Sequence, residues 1–206
     1  MHRYEIIEQG QSLDKASKAL ILLHGRGGSA DDILDLSTLV CDDTFYIAAP
    51  QATNNSWYPN SFLAEESTNE PWLSSTLEII KRLIDETSRY IPKDRIYLGG
   101  FSQGACLSLE FSARNGEKYG GIIAFSGGLI GKTLNPAQYK GNFAGTKVFI
   151  GNSDQDPYIP LTRCEQSKEI MEKLGAHVTL KVYPGMGHTI NEDEINWVKQ
   201  NILNTP

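Results

Sequence analysis

Short, almost wholly apolar runs recur along the chain, each bounded by Gly, Pro, Asn or a charged residue and separated from the next by a longer stretch of helical period. The run Ala19-Leu20-Ile21-Leu22-Leu23 is the clearest. A strand with no polar alternation has no side to offer water, so it must be covered on both faces. Helices above and below a largely parallel sheet provide that cover. Strands are predicted near Tyr4–Glu8, Ala19–His24, Thr44–Ala49, Arg95–Gly99, Gly121–Phe125, Lys147–Ile150 and Val178–Tyr183. Helices fill the gaps. Ser29 with Asp32 three residues on forms a capping box opening a helix toward Val40, and Leu73–Arg89 carries apolar residues at helical spacing before Pro92 stops it. Further helices follow Ser102, run from about Pro160 to Leu174, and span Glu192–Leu203.

With 206 residues and no repeat, linker or low-complexity tract, the chain is read as one domain over residues 1–206. A net charge of -6 with scattered Lys and Arg leaves no footprint for a phosphate backbone, so nucleic acid is not an expected partner. The stretch Met1–Lys18 has charges throughout and no apolar core, and no run approaches the length of a membrane span. A cytoplasmic protein without stable membrane insertion is expected. Cys41, Cys106 and Cys164 form neither an even disulfide set nor a metal-ligand spacing, and read as free thiols in or beside helices.

The chemistry centres on Gly100-Phe101-Ser102-Gln103-Gly104, which directly follows the apolar strand ending at Gly99 and directly precedes a helical run. A serine presented on a sharp strand-to-helix turn needs glycine on both sides, because its neighbours must pass close to adjacent backbone without a Cβ. A hydroxyl is a poor nucleophile at neutral pH, so such a serine requires a base and a group that orients the base. His188 follows the last predicted strand through Tyr183-Pro184-Gly185-Met186-Gly187, which places it on a loop at the carboxyl edge of the sheet. His2 is terminal, His24 ends a strand and His177 precedes one, so His188 is the candidate base. Asp154 and Asp156 both lie just past the strand at Lys147, and either can reach the histidine. Asp156 is preferred for its spacing to Ile159-Pro160, with Asp154 as a turn residue.

A tetrahedral intermediate also needs preorganised N–H donors for its negative oxygen. The loop His24-Gly25-Arg26-Gly27-Gly28, between a strand and the helix opened by Ser29, offers the backbone N–H of Arg26. The residue after the nucleophile, Gln103, offers the second.

Together, the segments LeuLeuHisGlyArgGlyGly, GlyGlyPheSerGlnGly, AspProTyrIlePro and TyrProGlyMetGlyHis resemble the phospholipase/carboxylesterase family, in order and over nearly the whole chain. The resemblance implies an α/β-hydrolase fold with about seven mostly parallel strands and no large cap domain, hydrolysis of esters or thioesters with neither cofactor nor metal, and a homodimer. The loop Ser56-Trp57-Tyr58-Pro59 is similar to the family's aromatic pocket segment, which makes Trp57 and Met186 the candidate substrate wall. One departure from the family matters: its members often carry H-G-L-G-D where this chain has His24-Gly25-Arg26-Gly27-Gly28, which puts a cation beside the expected site. The Arg26 side chain is expected to point to solvent or to pair with Asp31 or Asp32; the other reading is a preference for substrates that carry negative charge.

The function expected is that of a serine carboxylesterase acting on small-molecule esters of short to medium acyl chains through an acyl-enzyme. An acyl-protein thioesterase or lysophospholipase is the nearest rival, and a peptidase or lactonase a more distant one. A catalytically silent binding protein of the same fold is the alternative of a different class.

Overall fold

The computed structural model describes residues 1–204. Seven strands, β1 (Ile6–Gly10), β2 (Lys18–Leu23), β3 (Phe45–Pro50), β4 (Ile96–Phe101), β5 (Gly121–Phe125), β6 (Lys147–Ser153) and β7 (His177–Tyr183), form one sheet in the order β1-β3-β2-β4-β5-β6-β7. Only β1 runs antiparallel to its neighbour, an edge strand on an otherwise parallel sheet. Five α-helices are present among the described residues: α1 (Ala30–Val40), α2 (Trp72–Thr87), α3 (Gln103–Arg114), α4 (Leu161–Lys173) and α5 (Glu192–Val198). The last widens into a π turn over Lys199–Leu203.

The unbroken apolar runs have the physical consequence their sequence requires. Leu20 and Leu22 of β2 face one layer with Ile33 and Leu34 of α1, Val198 of α5 and Ile202 just beyond it. Ala19, Ile21 and Leu23 face the other, with Ile80 and Ile84 of α2, Leu107 and Leu109 of α3 and Met171 of α4. Burying each such Leu or Ile contributes about 1.5–3 kcal/mol, so the doubly covered central strands hold most of the stability.

Several element boundaries differ from expectation by a few residues, two of them for a clear local reason. The first strand starts at Ile6, because Tyr4 leaves the ladder, donates its hydroxyl to Glu86 at 2.5 Å and lies 3.7 Å from the Arg82 guanidinium. The sixth strand continues through Gly151, Asn152 and Ser153, a stretch of turn-forming residues, because Lys181, Val182 and Tyr183 pair with it in register. The second helix ends at Thr87, two residues short of Arg89. The capping box of Ser29 and Asp32 is present in both directions. Cys41 caps the end of α1, Cys106 lies in α3 and Cys164 in α4, all unpaired.

Because β2, β4, β6 and β7 are parallel, the segments leaving them emerge at one edge. His24, Ser102, Asp156 and His188 all lie just beyond those strand ends.

Candidate active site

Ser102 stands between the end of β4 and the start of α3 with φ 55° and ψ -116°, a conformation an L-residue adopts only under constraint. Its neighbours supply the constraint. A Cβ on Gly100 would lie 2.6 Å from the Leu23 carbonyl oxygen, and one on Gly104 only 2.0 Å from that same oxygen. Glycine at both positions lets the turn press against β2, while the Ser102 N–H donates to the Phe125 carbonyl at 2.9 Å. The strain therefore rests on two backbone contacts that no other residue type permits.

The Ser102 hydroxyl donates to His188 Nε2 at 2.8 Å, and His188 Nδ1–H donates to Asp156 Oδ2 at 2.7 Å. Since a carboxylate only accepts, this second bond fixes the tautomer that leaves Nε2 free to take the serine proton. The Asp156 side chain is fully buried and its other oxygen accepts the N–H groups of Tyr158 and Ile159, at 2.9 and 3.0 Å. Asp154 acts elsewhere. Its Oδ1 accepts the Gly185 N–H at 2.8 Å, while the Ser153 hydroxyl accepts that of Gly187 at 3.1 Å. The two acids that the sequence left open are thus separated, one holding the imidazole and one holding the loop that carries it. The His188 ring lies between Phe101 and Tyr158, with centroids 4.9 and 5.0 Å away.

Among the described residues no hydrogen bond takes up the backbone N–H of Arg26 or of Gln103. Neighbouring donors are occupied, Gly27 N–H by Asn55 and Gly28 N–H by Gly25. The glycine loop is braced from below by His24, which is buried. Its Nε2 accepts the Ala52 N–H at 3.1 Å, so Nδ1 carries the proton and donates to the Gly25 carbonyl at 2.8 Å. Burial holds the His24 pKa below its ordinary value, which keeps the ring neutral for both bonds.

A cleft of about 490 Å³ opens onto Ser102 and His188, walled by Tyr58, Pro59, Phe62, Phe101, Tyr158 and Ile159, with Cys106 one helical turn below the serine. Burial pushes the Cys106 thiol up to about 12, so it is an apolar wall and not a rival nucleophile.

Two expectations are corrected here, and a third in part. Trp57 is fully buried and lines no part of the cleft; its ring packs against His24 at 4.9 Å and its Nε1–H donates to the His24 carbonyl at 2.9 Å. It braces the glycine loop, and Tyr58 and Pro59 beside it face the cleft. Met186 is not among the cleft residues either; its sulfur accepts the Asn191 amide at 2.8 Å. Arg26 is solvent-exposed, as one of its two expected placements had it, but it pairs with neither Asp31 nor Asp32, and its guanidinium donates to Ser56 Oγ and to the carbonyls of Pro59 and Asn60. Sequence reasoning missed Phe101 and Tyr158, although each sits within two residues of a residue it selected. It also missed the Gln103 side chain, which accepts the Trp57 N–H and donates to the Tyr58 carbonyl, both at 2.9 Å.

A serine on a strained elbow, linked to a histidine and a buried aspartate at the carboxyl edge of a mostly parallel sheet, defines an α/β-hydrolase of the serine esterase type. The phospholipase/carboxylesterase family model matches residues 2–205, and the chain belongs to that family. A crystal structure of a phospholipase/carboxylesterase from Dyadobacter fermentans is 49% identical and superposes with a TM-score of 0.96, covering 98% of this chain and 97% of that one. The acyl-protein thioesterase 1 of Debaryomyces hansenii is 32% identical over 205 residues, 87% of this chain and 88% of its own. The Bacillus cereus carboxylesterase, 23% identical over 97% of this chain and 92% of that one with a TM-score of 0.78, shares the fold. The chain is accordingly a carboxylic ester hydrolase. Among the described residues no helix is long and apolar enough to cross a membrane.

Proposed function

We propose that this single-domain chain is a cytoplasmic serine carboxylesterase that hydrolyses small esters of short to medium acyl chains through an acyl-enzyme on Ser102. The observation that carries the proposal is the continuous chain of hydrogen bonds from Ser102 Oγ through His188 to Asp156, set at the floor of the cleft. Ser102 Oγ attacks the ester carbonyl as its proton passes to His188 Nε2, and Asp156 stabilises the imidazolium. The carbonyl oxygen, now negative, moves into reach of the Arg26 and Gln103 N–H groups, each donor worth about 3–4 kcal/mol in such sites. His188 then protonates the leaving alcohol, and a water activated by the same nitrogen releases the acid.

The cleft volume of about 490 Å³ falls in the lower half of the usual range for small-molecule sites, roughly 300–1,000 Å³, which favours modest acyl groups. The resemblance to the Debaryomyces hansenii acyl-protein thioesterase supports a second reading, in which long-chain thioesters are the substrates. Three unpaired cysteines suit a reducing compartment.

Hydrolysis of p-nitrophenyl esters from acetyl to palmitoyl tests the proposal. The expected result is a rate maximum at short to medium chains. A rate that climbs steadily to palmitoyl moves the assignment to the thioesterase reading, and absence of turnover across the series overturns the esterase.

A further inference from the structure

Arg26 lies exposed at the mouth of the active-site cleft, where water solvates its charge and an anionic ligand can reach it. Of the two acids at the start of α1, Asp32 accepts from the Ser29 hydroxyl, and among the described residues no ion pair joins Arg26 to either. The three acceptors that Arg26 does have, Ser56 Oγ at 3.1 Å, the Pro59 carbonyl at 2.9 Å and the Asn60 carbonyl at 2.7 Å, are all neutral. Arginine carries five N–H donors. With two on Nη1 and one on Nη2 engaged, Nε–H and the other Nη2–H have no acceptor among the described residues.

The side chain is also held still. Two adjacent carbonyls grip its head and the Tyr58 ring lies 5.8 Å beneath it, so its charge has a fixed position. Arg26 and His188 are the only cleft residues with a basic side chain, and the cleft has no acidic one. Ser61, whose hydroxyl accepts the Leu63 N–H at 3.1 Å and keeps its own proton to give, lines the same cleft. The apolar walls between Arg26 and Cys106 suit a short hydrocarbon stretch.

From this arrangement we infer that Arg26 is a specificity-determining residue, and that the preferred substrates are esters bearing an anionic group, a carboxylate or a phosphate, a short chain away from the scissile carbonyl. The inference rests on the esterase reading above and names its substrate class. The anion docks on the free Nε–H and Nη2–H, and the fixed head spares the entropy of ordering a flexible side chain at each binding event.

The test compares charged and neutral esters of matched size on the wild type, Arg26→Gln and Arg26→Lys. For an anion on the acyl part the pair is mono-p-nitrophenyl glutarate and p-nitrophenyl valerate; for an anion on the alcohol part it is 4-acetoxybenzoate and its methyl ester. In the wild type kcat/KM of the charged member of one pair should exceed that of its neutral counterpart, with the pair identifying the side of the anion. That ratio should fall about tenfold or more in Arg26→Gln, recover in part in Arg26→Lys, and shrink with added salt. Because each variant is compared with itself, a general loss of activity from a loosened loop leaves the ratio readable. Turnover of the neutral esters with no advantage for either charged ester, or a ratio unchanged in Arg26→Gln, would overturn the inference and leave the esterase standing. Failure to turn over any of the four esters would overturn both.

Discussion

Asp154 Oδ1 accepts the backbone N–H of Gly185 at 2.8 Å, an acid on the loop after β6 tying down the loop after β7. Two residues further on, Asp156 reaches across the same gap to His188 Nδ1 at 2.7 Å. The two carboxylates should separate in kinetics. Asp156→Asn removes the acceptor that fixes the tautomer and is expected to lower kcat by about 10³–10⁴-fold. Asp154→Asn keeps a carbonyl oxygen for Gly185 and should stay within about tenfold of the wild type, because a neutral acceptor replaces a charged one. Steady-state kcat and KM on one short ester check both.

Gln103 ties the elbow to the cleft wall through its side chain, and the amide it engages on Trp57 and the carbonyl on Tyr58 are buried. Gln103→Ala leaves the Trp57 N–H unpaired, at about 1–3 kcal/mol, while the Tyr58 carbonyl keeps the Ser56 hydroxyl at 3.1 Å. Urea unfolding should register the loss. Beyond it, kcat/KM should drop at least about tenfold, since a displacement of one ångström at a site can cost far more than its contact energy.

Gly104 admits no side chain, as the 2.0 Å approach to the Leu23 oxygen is to backbone and not to a movable group. Gly104→Ala should destabilise the fold by about 3 kcal/mol or more, measurable as a lowered midpoint in denaturant. A substitution with little effect would mean that the elbow sits further from β2 than this contact implies.

Glu194 is fully buried behind the edge of β6, with one carboxylate oxygen accepting the Asn191 N–H at 2.8 Å and the other without a partner. Burial raises its pKa to about 7, above the value of about 4.3 for an exposed glutamate. The unfolded chain therefore releases this proton first, and the wild type loses stability as pH rises from about 4.5 to 7. Glu194→Gln keeps the capping acceptor and lacks this loss. Its Tm should match that of the wild type near pH 4 and exceed it at pH 8, by an amount on the order of 1–3 kcal/mol in stability.

What was legible in the sequence divides along a physical line. The elbow could be read because its backbone geometry restricts Gly100 and Gly104 to one residue type, and the sheet because its apolar runs admit only a doubly covered arrangement. Asp154 and Asp156 could not be separated by spacing alone, since both follow the same strand within one turn and what tells them apart is a partner some thirty residues away. Trp57 was misplaced for a related reason. Asn54 and Asn55 both take positive φ just before it, and that loop path decides which aromatic turns inward. Arg26 finds its acceptors 30 to 34 residues downstream on that same loop, beyond any local signal.

The central claim is that Ser102 is the nucleophile. Treating the wild type and Ser102→Ala with a p-nitrophenyl alkylphosphonate and mapping the adduct by peptide mass spectrometry tests it directly. The account predicts one phosphonyl group on Ser102, release of one equivalent of p-nitrophenolate with loss of ester hydrolysis, and no labelling or turnover in Ser102→Ala above about a thousandth of the wild-type rate. An adduct on another residue, or a Ser102→Ala protein that is folded and still hydrolyses esters at a comparable rate, would contradict it.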